Sequence, residues 1–361
     1  MKIGIIAHLK HPIRKPFMGG LEAFTYDITN LLAKRGHDVT LFASEHSDPN
    51  LPLRSIMSDS DYDRETFSRF RSHELSEDFI STHHAYLELM QDIDNEGFDI
   101  IFNNSLNYVP ITMSSIVQTP MVTVLHTPPI FEMKRAISKI KSYTNMKYVS
   151  VSASNAKSWQ PYLPSCEVIN NGIDLKRWNF QKENDRDYVL WFGRIHPDKG
   201  THHAIEGALK AGKRIKIAGS VADRHYFETY VQPLSCDRVE FLDLCTHAQL
   251  NELIGNAEVS IITPCWDEPF GLVVAESLAC GTPIAGFSRG ALPYIITEKT
   301  GCLTSSMNSE ELAQCILSAS KLSRKDCRES AEHSLGMEKM VASYEDLFHR
   351  VIDKSYLPHA I

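Results

Sequence analysis

The stretch Pro264–Pro283 reads PCWDEPFGLVVAESLACGTP, and its pattern decides the fold class. The run before it, Glu258–Thr263, is short and mostly apolar, as is typical of a buried strand. After the glycine of the PFG triplet, small apolar residues continue at helical density, and Gly281 with a nearby proline signals the helix end. The stretch therefore predicts a strand, a tight loop and a helix that begins at Phe270–Gly271.

The start of this helix is suited to bind an anion. A helix N-terminus leaves backbone N–H groups unpaired and has partial positive charge. Gly271 has no side chain, so a phosphate or a sugar can approach the backbone closely. Two carboxylates flank the position, Glu268 in the loop and Glu276 in the helix. A buried carboxylate is costly without a partner, so the alternative is that Glu276 faces solvent. The residues alone do not decide whether Glu276 is a buried ligand-binding group or a solvent-facing one.

The phrase EPFGLVVAE, from Glu268 to Glu276, resembles the E-x7-E motif of the retaining glycosyltransferases with the GT-B fold, especially the large family 4. In that family the first glutamate lies by the donor sugar and the second holds the ribose hydroxyls of the nucleotide. The resemblance also implies that the backbone of Phe270, Gly271 and Leu272 contacts the donor sugar.

A second motif follows a predicted strand in the sequence DYVLWFGRIHPDKG, residues 187–200. Arg194 at the strand end and Lys199 at the next helix start would place two cations at one edge of a sheet. Arginine and lysine are also common on surfaces. The spacing G-R-x4-K-G resembles the diphosphate-binding signature of the same family, which implies that both cations hold the leaving nucleoside diphosphate. Two fixed cations can stabilise its developing charge, so we expect no metal ion.

Two positions in the first half of the chain are further candidates. Gly19 and Gly20 lie in the sequence MGGLE at a predicted helix start, where a flexible turn is the simpler interpretation. They resemble the glycine loop of the family, which implies a second helix N-terminus facing a phosphate. His126 follows the apolar run Pro120–Leu125, at the strand end where open α/β sheets bind ligands. A lone histidine is more often structural, but this one matches a family histidine that contacts the donor sugar.

The whole chain alternates short apolar runs with helical patterns, which predicts parallel α/β sheets. The predicted elements include the strands Lys2–Ala7, Met121–Leu125 and Tyr188–Phe192 and the helix Ala222–Gln232. We expect two Rossmann-like doubly wound domains, and the resemblance implies that they face each other across a cleft in the GT-B architecture. The predicted N-terminal domain spans residues 1–175 and is expected to bind the acceptor, and the resemblance implies that a C-terminal helix at about 338–361 crosses back to it. The predicted donor domain spans residues 176–337.

Composition excludes several other classes. The net charge of −8 gives no domain-wide basic surplus for a nucleic-acid partner, which leaves only local basic patches open. None of the eight cysteines forms a C-x-x-C pair, so we expect buried, reduced thiols in a cytoplasmic protein rather than a zinc site. The apolar run at the N-terminus is too short for a signal peptide, and no run approaches the about 18 apolar residues of a membrane span.

Two surface patterns have alternative interpretations. Met133–Lys141 combines four cations with apolar residues, so peripheral contact with anionic lipid at the inner membrane face stays open beside an ordinary surface helix. The segment Ser58–Glu65 resembles the start of a calcium loop, but Arg64 replaces the required glycine. It also contains a D-x-D at Asp61 and Asp63, which we interpret as a solvated loop.

The resemblance implies a retaining transfer of a hexose from a nucleotide diphosphate sugar, most simply a UDP-hexose, to a hydroxyl acceptor that the sequence does not identify. No cofactor is expected. In this scheme Arg194 and Lys199 hold the diphosphate, Glu268 fixes the sugar, Glu276 binds the ribose and His126 lines the reaction centre. The alternatives are a UDP-sugar epimerase or a phosphorylase on the same fold, and a non-catalytic subunit that binds a nucleotide sugar.

Overall fold

The computed structural model describes residues 1–58, 77–140, 145–182 and 187–355, and the Asp61–Asp63 pattern lies outside them. The chain forms two compact units. Unit 1 consists of Met1–Val151, Asn155–Ile169 and the chain from Val341 on, and unit 2 consists of Ser152–Ser154 and Asn170–Met340. The predicted limits of 1–175 with 338–361, and of 176–337, differ from these boundaries by three to six residues.

Unit 1 is built on a seven-stranded sheet in which each described pair of strands is parallel. The strand order is β3-β2-β1-β4-β5-β6-β7. The strands are β1 (Lys2–Ala7), β2 (Asp38–Ser44), β3 (Leu53–Met57), β4 (Ile100–Asn104), β5 (Met121–Leu125), β6 (Met146–Ser150) and β7 (Glu167–Val168). The central strands β4 and β5 are buried along their whole length, as expected for a parallel sheet covered by helices.

Among the described residues, five α-helices connect these strands: α1 (Gly20–Lys34), α2 (Glu77–Asp92), α3 (Tyr108–Met113), α4 (Phe131–Ile137) and α5 (Ala153–Trp159). The basic run predicted at Met133–Lys141 is helical only to Ile137, and Lys141 lies outside the described residues. The long last helix joins unit 1 from Val341 on. There Tyr344 and Phe348 pack against Phe102 of β4, with ring centroids 4.9 and 5.1 Å apart.

Unit 2 has a six-stranded sheet, again with parallel pairs, in the order β10-β9-β8-β11-β12-β13. The strands are β8 (Tyr188–Phe192), β9 (Arg214–Ala218), β10 (Val239–Leu242), β11 (Ser260–Ile262), β12 (Ile284–Phe287) and β13 (Gly301–Thr304). The helices are α6 (Thr201–Lys210), α7 (Arg224–Tyr226), α8 (His247–Asn256), α9 (Leu272–Ala279), α10 (Leu292–Ile295), α11 (Ser309–Ala319), α12 (Arg324–Ser334) and α13 (Met337–Ser355), of which α13 continues into unit 1.

Both sheets have the Rossmann strand order, in which the direction of winding reverses once. The reversal lies between β1 and β4 in unit 1 and between β8 and β11 in unit 2. Loops on the two sides of such a point leave the sheet in opposite directions, which opens a crevice at the carboxyl ends of the strands. The topology therefore marks one ligand-binding position in each unit.

Several helices far from these positions begin with a side-chain cap. Thr246, Asn308 and Ser323 accept backbone N–H groups at the starts of α8, α11 and α12. In contrast, α6 and α9 begin directly after Gly200 and Gly271 without a side-chain cap. No side chain caps the start of α9, whereas in the first turn of α6 the His202 N–H donates to the Tyr226 hydroxyl at 3.3 Å.

Some sequence expectations were wrong in detail. The predicted helix Ala222–Gln232 is a short α-turn, Arg224–Tyr226, followed by the π-helix Phe227–Val231. All eight cysteines are free thiols, but only Cys280, Cys315 and Cys327 are buried. The other five cysteines lie in loops or on the partly buried edge strand β13, and they are partly or fully exposed to solvent. Within the described residues, no helix combines the length and the apolar character needed to cross a membrane.

Candidate active site

The ligand-binding position that the topology marks in unit 2 lies at the carboxyl ends of β8 and β11, the neighbouring strands on either side of the reversal point. The loop after β8 carries Arg194 and Lys199, and the loop after β11 carries Glu268. The two loops are tied together, because the Cys265 N–H donates to the Asp198 carbonyl oxygen at 2.7 Å. The structure thus brings together three residues that are separated by up to 74 positions in the sequence.

Lys199 and Glu268 form a close ion pair. The Lys199 Nζ donates to Glu268 Oε2 at 2.6 Å, and both side chains are largely buried, with 24% and 16% exposed. The same carboxylate oxygen accepts from the indole N–H of Trp266 at 3.0 Å. The Lys199 ammonium group also lies over the Trp266 ring, with Nζ 5.4 Å from its centroid. The pair therefore has a fixed geometry beside the loop.

Arg194 is more exposed and less constrained. Its guanidinium lies 3.7 Å from Asp198 Oδ2, and about half of its side chain is exposed. The other oxygen of Asp198 pairs with His196 Nδ1 at 2.7 Å. Because a surface pair of this kind contributes little and is loosely held, the guanidinium can turn toward an incoming anion. The structure thus places Arg194 and Lys199 on the same edge, Arg194 exposed and Lys199 largely buried in a close ion pair.

The first turn of α9, which follows the loop after β11, lies at the same edge of the sheet. Gly271, the residue before the helix, has a φ of 84°, in the left-handed region that favours glycine. No side chain caps this helix start, and Phe270, just before Gly271, is buried. The predicted helix start is correct to within one residue.

Glu276 lies within α9, one turn beyond its start, and is partly buried rather than fully solvent-facing. Burial raises the pKa of its carboxyl to about 7, and the charge of Arg177 opposes this shift. A carboxyl group with a pKa near neutral pH, in a helix that begins at the crevice, is a candidate ligand-binding group. Arg177 was not identified from the sequence, since only the fold brings it near Glu276.

The unit 1 position lies at the carboxyl ends of β1, β4 and β5. Gly19 and Gly20 begin α1 and are both exposed, as the sequence predicts for a helix start. However, the first turn of α1 already contains a carboxylate, because Glu22 is buried there and pairs with His8. This pair was not predicted from the sequence. The pattern that could have indicated it is a histidine directly after the first strand and a glutamate directly after the glycine pair and leucine.

His126 follows β5 directly and hydrogen-bonds to Asn104, the last residue of β4. The distance from His126 Nε2 to Asn104 Oδ1 is 2.9 Å. The Asn104 side-chain N–H donates to the Phe102 carbonyl, which orients the amide so that its oxygen faces the histidine. Phe24 packs edge-on against the imidazole, with centroids 4.8 Å apart. Burial, with a smaller effect of His8, lowers the pKa of His126 to about 3.

These contacts fix the chemical form of His126. With its pKa far below neutral, the ring is uncharged, and its Nε2 must be the protonated nitrogen because it faces an acceptor. Its Nδ1 is therefore left as a hydrogen-bond acceptor. Such a ring can accept a hydrogen bond from a hydroxyl group but cannot supply positive charge. Across the part of the chain that the structure describes, no cluster of three or more ligating side chains is arranged to hold a metal ion.

Two parallel α/β units, each with a reversal-point crevice, define the two-domain Rossmann-like class of the GT-B fold. The family described as "Glycosyl transferases group 1" matches residues 172–334, and the family described as "Glycosyltransferase Family 4" matches residues 18–177. The matches adjoin and together cover most of both units, so this chain belongs to the family 4-type glycosyltransferases and is an enzyme of that class.

Individual relatives agree with this assignment. A D-inositol 3-phosphate glycosyltransferase of Mycobacteroides abscessus is 30% identical over 191 residues, which is 47% of this chain and 42% of that protein. The chain thus spans less than half the length of that relative. A glycogen synthase of Mycobacterium tuberculosis is 23% identical over 79% of this chain and 78% of its own. The Anabaena protein HepE, solved with UDP-glucose, superposes with a TM-score of 0.74 at 17% identity, over 97% of this chain and all of HepE.

Proposed function

We propose that this enzyme transfers a hexose from a UDP-hexose to a hydroxyl group of a carbohydrate or polyol, with retention of configuration and without a metal ion. The support comes from the unit 2 edge, where Lys199 and Glu268 lie 2.6 Å apart beside the uncapped start of α9. The names of the relatives agree with a nucleotide-sugar donor and with a polyol or carbohydrate acceptor.

In the proposed donor complex, the diphosphate lies between the cations and the α9 N-terminus. Lys199 is held in place by Glu268, whereas Arg194 turns in from its exposed position to form a forked contact. When the bond between the sugar and the β-phosphate breaks, negative charge grows on the bridging oxygen, and these cations stabilise it. Two cations at this place supply the charge that a metal ion supplies in other transferases, which is the reason for proposing metal independence.

The two glutamates have separate roles in this proposal. Glu268 already accepts from Lys199 and Trp266, so it is an electrostatic anchor that can share an oxygen with a sugar hydroxyl. A carboxylate held in this way is a poor nucleophile, so we infer a front-face mechanism in which the leaving phosphate takes the proton of the acceptor hydroxyl. Glu276 accepts from the ribose hydroxyls. His126 offers Nδ1 to a sugar hydroxyl.

Binding and release assays test this proposal against its alternatives. UDP- and GDP-sugars are screened for a rise in melting temperature, because a ligand of the native state stabilises it. The best donor is then incubated without acceptor, and nucleotide release to water is measured. We expect a UDP-hexose to stabilise the protein and to release UDP slowly. Binding without release would indicate a non-catalytic subunit, and conversion of the sugar without release would indicate an epimerase.

A further inference from the structure

His8 and Glu22 form a buried ion pair at the unit 1 crevice. His8 is the first residue after β1, and Glu22 is in the first turn of α1. His8 Nε2 lies 3.1 Å from Glu22 Oε1, and less than a tenth of either side chain is exposed. The pair thus joins the carboxyl end of a central strand to the start of the helix that follows the glycine turn.

The Glu22 carboxylate also occupies the space under this turn. A Cβ atom on Gly19 would lie 3.1 Å from Glu22 Oε2, closer than ordinary carbon–oxygen packing allows. The carboxylate accepts a hydrogen bond from its own backbone N–H, and its pKa is lowered by His8 against the opposing effect of burial. Glu22 therefore remains ionised and takes the place that a side-chain cap would occupy at the start of α1.

The pair also acts on the neighbouring histidine. Burial is the main cause of the lowered pKa of His126, and a protonated His8 lowers this pKa further. His126 is in turn oriented by Asn104 and Phe24. Burial thus keeps the imidazole uncharged, Asn104 and Phe24 orient it, and the His8–Glu22 pair is part of its electrostatic surroundings.

Stability alone does not account for this pair. A buried ion pair rarely stabilises a fold more than apolar residues of the same volume, because both charges lose their hydration. Unit 1 contains a second His–Glu pair, His37 with Glu345 at 2.8 Å, which joins helix α13 to the chain before β2, away from the carboxyl ends of the strands. Arg35 also pairs with Glu345, at 2.7 Å, so this site is a control for the loss of a His–Glu pair, together with an arginine contact, away from the crevice.

We propose that His8 and Glu22 are positioning residues for sugar transfer: as one ion pair they fix the backbone of the Gly19–Gly20 turn and the electrostatic surroundings of His126. This inference rests on the proposed function, since it assumes that the unit 1 crevice takes part in transfer. Neither residue needs to contact the substrate.

The test compares Glu22→Gln with Glu345→Gln in the full-length protein, using UDP release from UDP-glucose. Gln keeps the size of the side chain but removes the charge and turns an N–H group toward the start of α1. We expect kcat to fall about tenfold or more in Glu22→Gln, the effect of losing one charged hydrogen bond, while KM changes by less than about threefold. Glu345→Gln should keep kcat within about twofold even if its melting temperature falls as much.

A double-mutant cycle with His8→Gln separates a pair from two independent residues. If they act as one unit, the double variant should lose no more activity than Glu22→Gln alone. An unchanged kcat in Glu22→Gln, an equal loss in Glu345→Gln, or fully additive losses in the cycle would each overturn the inference while leaving the proposed function intact. Absence of UDP release from the wild-type protein with every donor would instead overturn the proposed function, and this inference with it.

Discussion

Binding of UDP-glucose is expected to strengthen as the pH rises from 6 to 8, because Glu276 must lose its proton to accept two ribose hydroxyls. Burial holds its pKa near 7 in the ligand-free enzyme. Below that value the carboxyl group is mostly protonated, and binding must first remove a proton. Above it the group is ionised, and the strong charged hydrogen bonds form without this cost.

The size of the effect follows from the pKa. With a pKa of about 7, about a tenth of the carboxyl groups are ionised at pH 6 and about nine tenths at pH 8. If only the ionised form binds, the dissociation constant should fall about tenfold between these values, or about 1.4 kcal/mol. If binding instead required a basic group that loses its proton in this pH range, the affinity would weaken as the pH rises.

Titration calorimetry at several pH values measures this dependence. UDP-glucose is preferred over UDP, because the terminal phosphate of UDP itself titrates near pH 6. Glu276→Gln is the matched control: its affinity should be weaker than wild type at pH 8 by ~1.5–3 kcal/mol and should not vary with pH through this residue. A wild-type affinity that is equal at pH 6 and pH 8, or a variant with the wild-type slope, would refute the assignment of Glu276 to the ribose.

Three other outcomes follow from the same geometry. The raised pKa of Glu276, about 7 against an ordinary 4.5, means that stability falls as pH rises between these values, so at pH 8 Glu276→Gln should stabilise the ligand-free protein by up to about 3 kcal/mol in denaturant titration. Lys199→Ala should lower kcat about 10²–10³-fold in single-turnover assays, with a smaller effect on donor affinity, and an unchanged kcat would remove Lys199 from the transition state. Gly271→Ala should cost about 1–2 kcal/mol of stability through its φ of 84°, since an added Cβ would meet only ordinary contacts of 3.4 Å, and unchanged melting would refute the strain.

Much of the fold could be predicted from the sequence because its elements have strong local patterns. The strands Lys2–Ala7, Met121–Leu125 and Tyr188–Phe192 were predicted with their observed limits, since each is a compact apolar run. The edge strands Leu53–Met57 and Gly301–Thr304 were not predicted. They are short and only partly buried, so their apolar pattern is weak and pairing with a neighbouring strand forms them.

The site was predictable only where its parts are contiguous in sequence. The helix start at Gly271 and the position of Glu276 follow from one stretch, and the structure has both. The partners of these residues come from distant loops and could not be inferred locally. Thus the carboxylate of Glu268 lies against Lys199, 69 positions away, and the imidazole of His126 lies against Asn104, on a neighbouring strand. Long-range packing determines these contacts and the pKa of each group.

The most direct test of the proposed mechanism is the configuration of the first product formed without metal. The enzyme is incubated with UDP-α-glucose in excess EDTA, and the released glucose is followed by NMR before its anomers equilibrate. The account predicts that UDP release continues with EDTA present, that added Mg²⁺ or Mn²⁺ changes it little, and that α-glucose appears first. Release that stops with EDTA and returns with Mn²⁺, or β-glucose as the first product, would contradict a metal-independent retaining transfer.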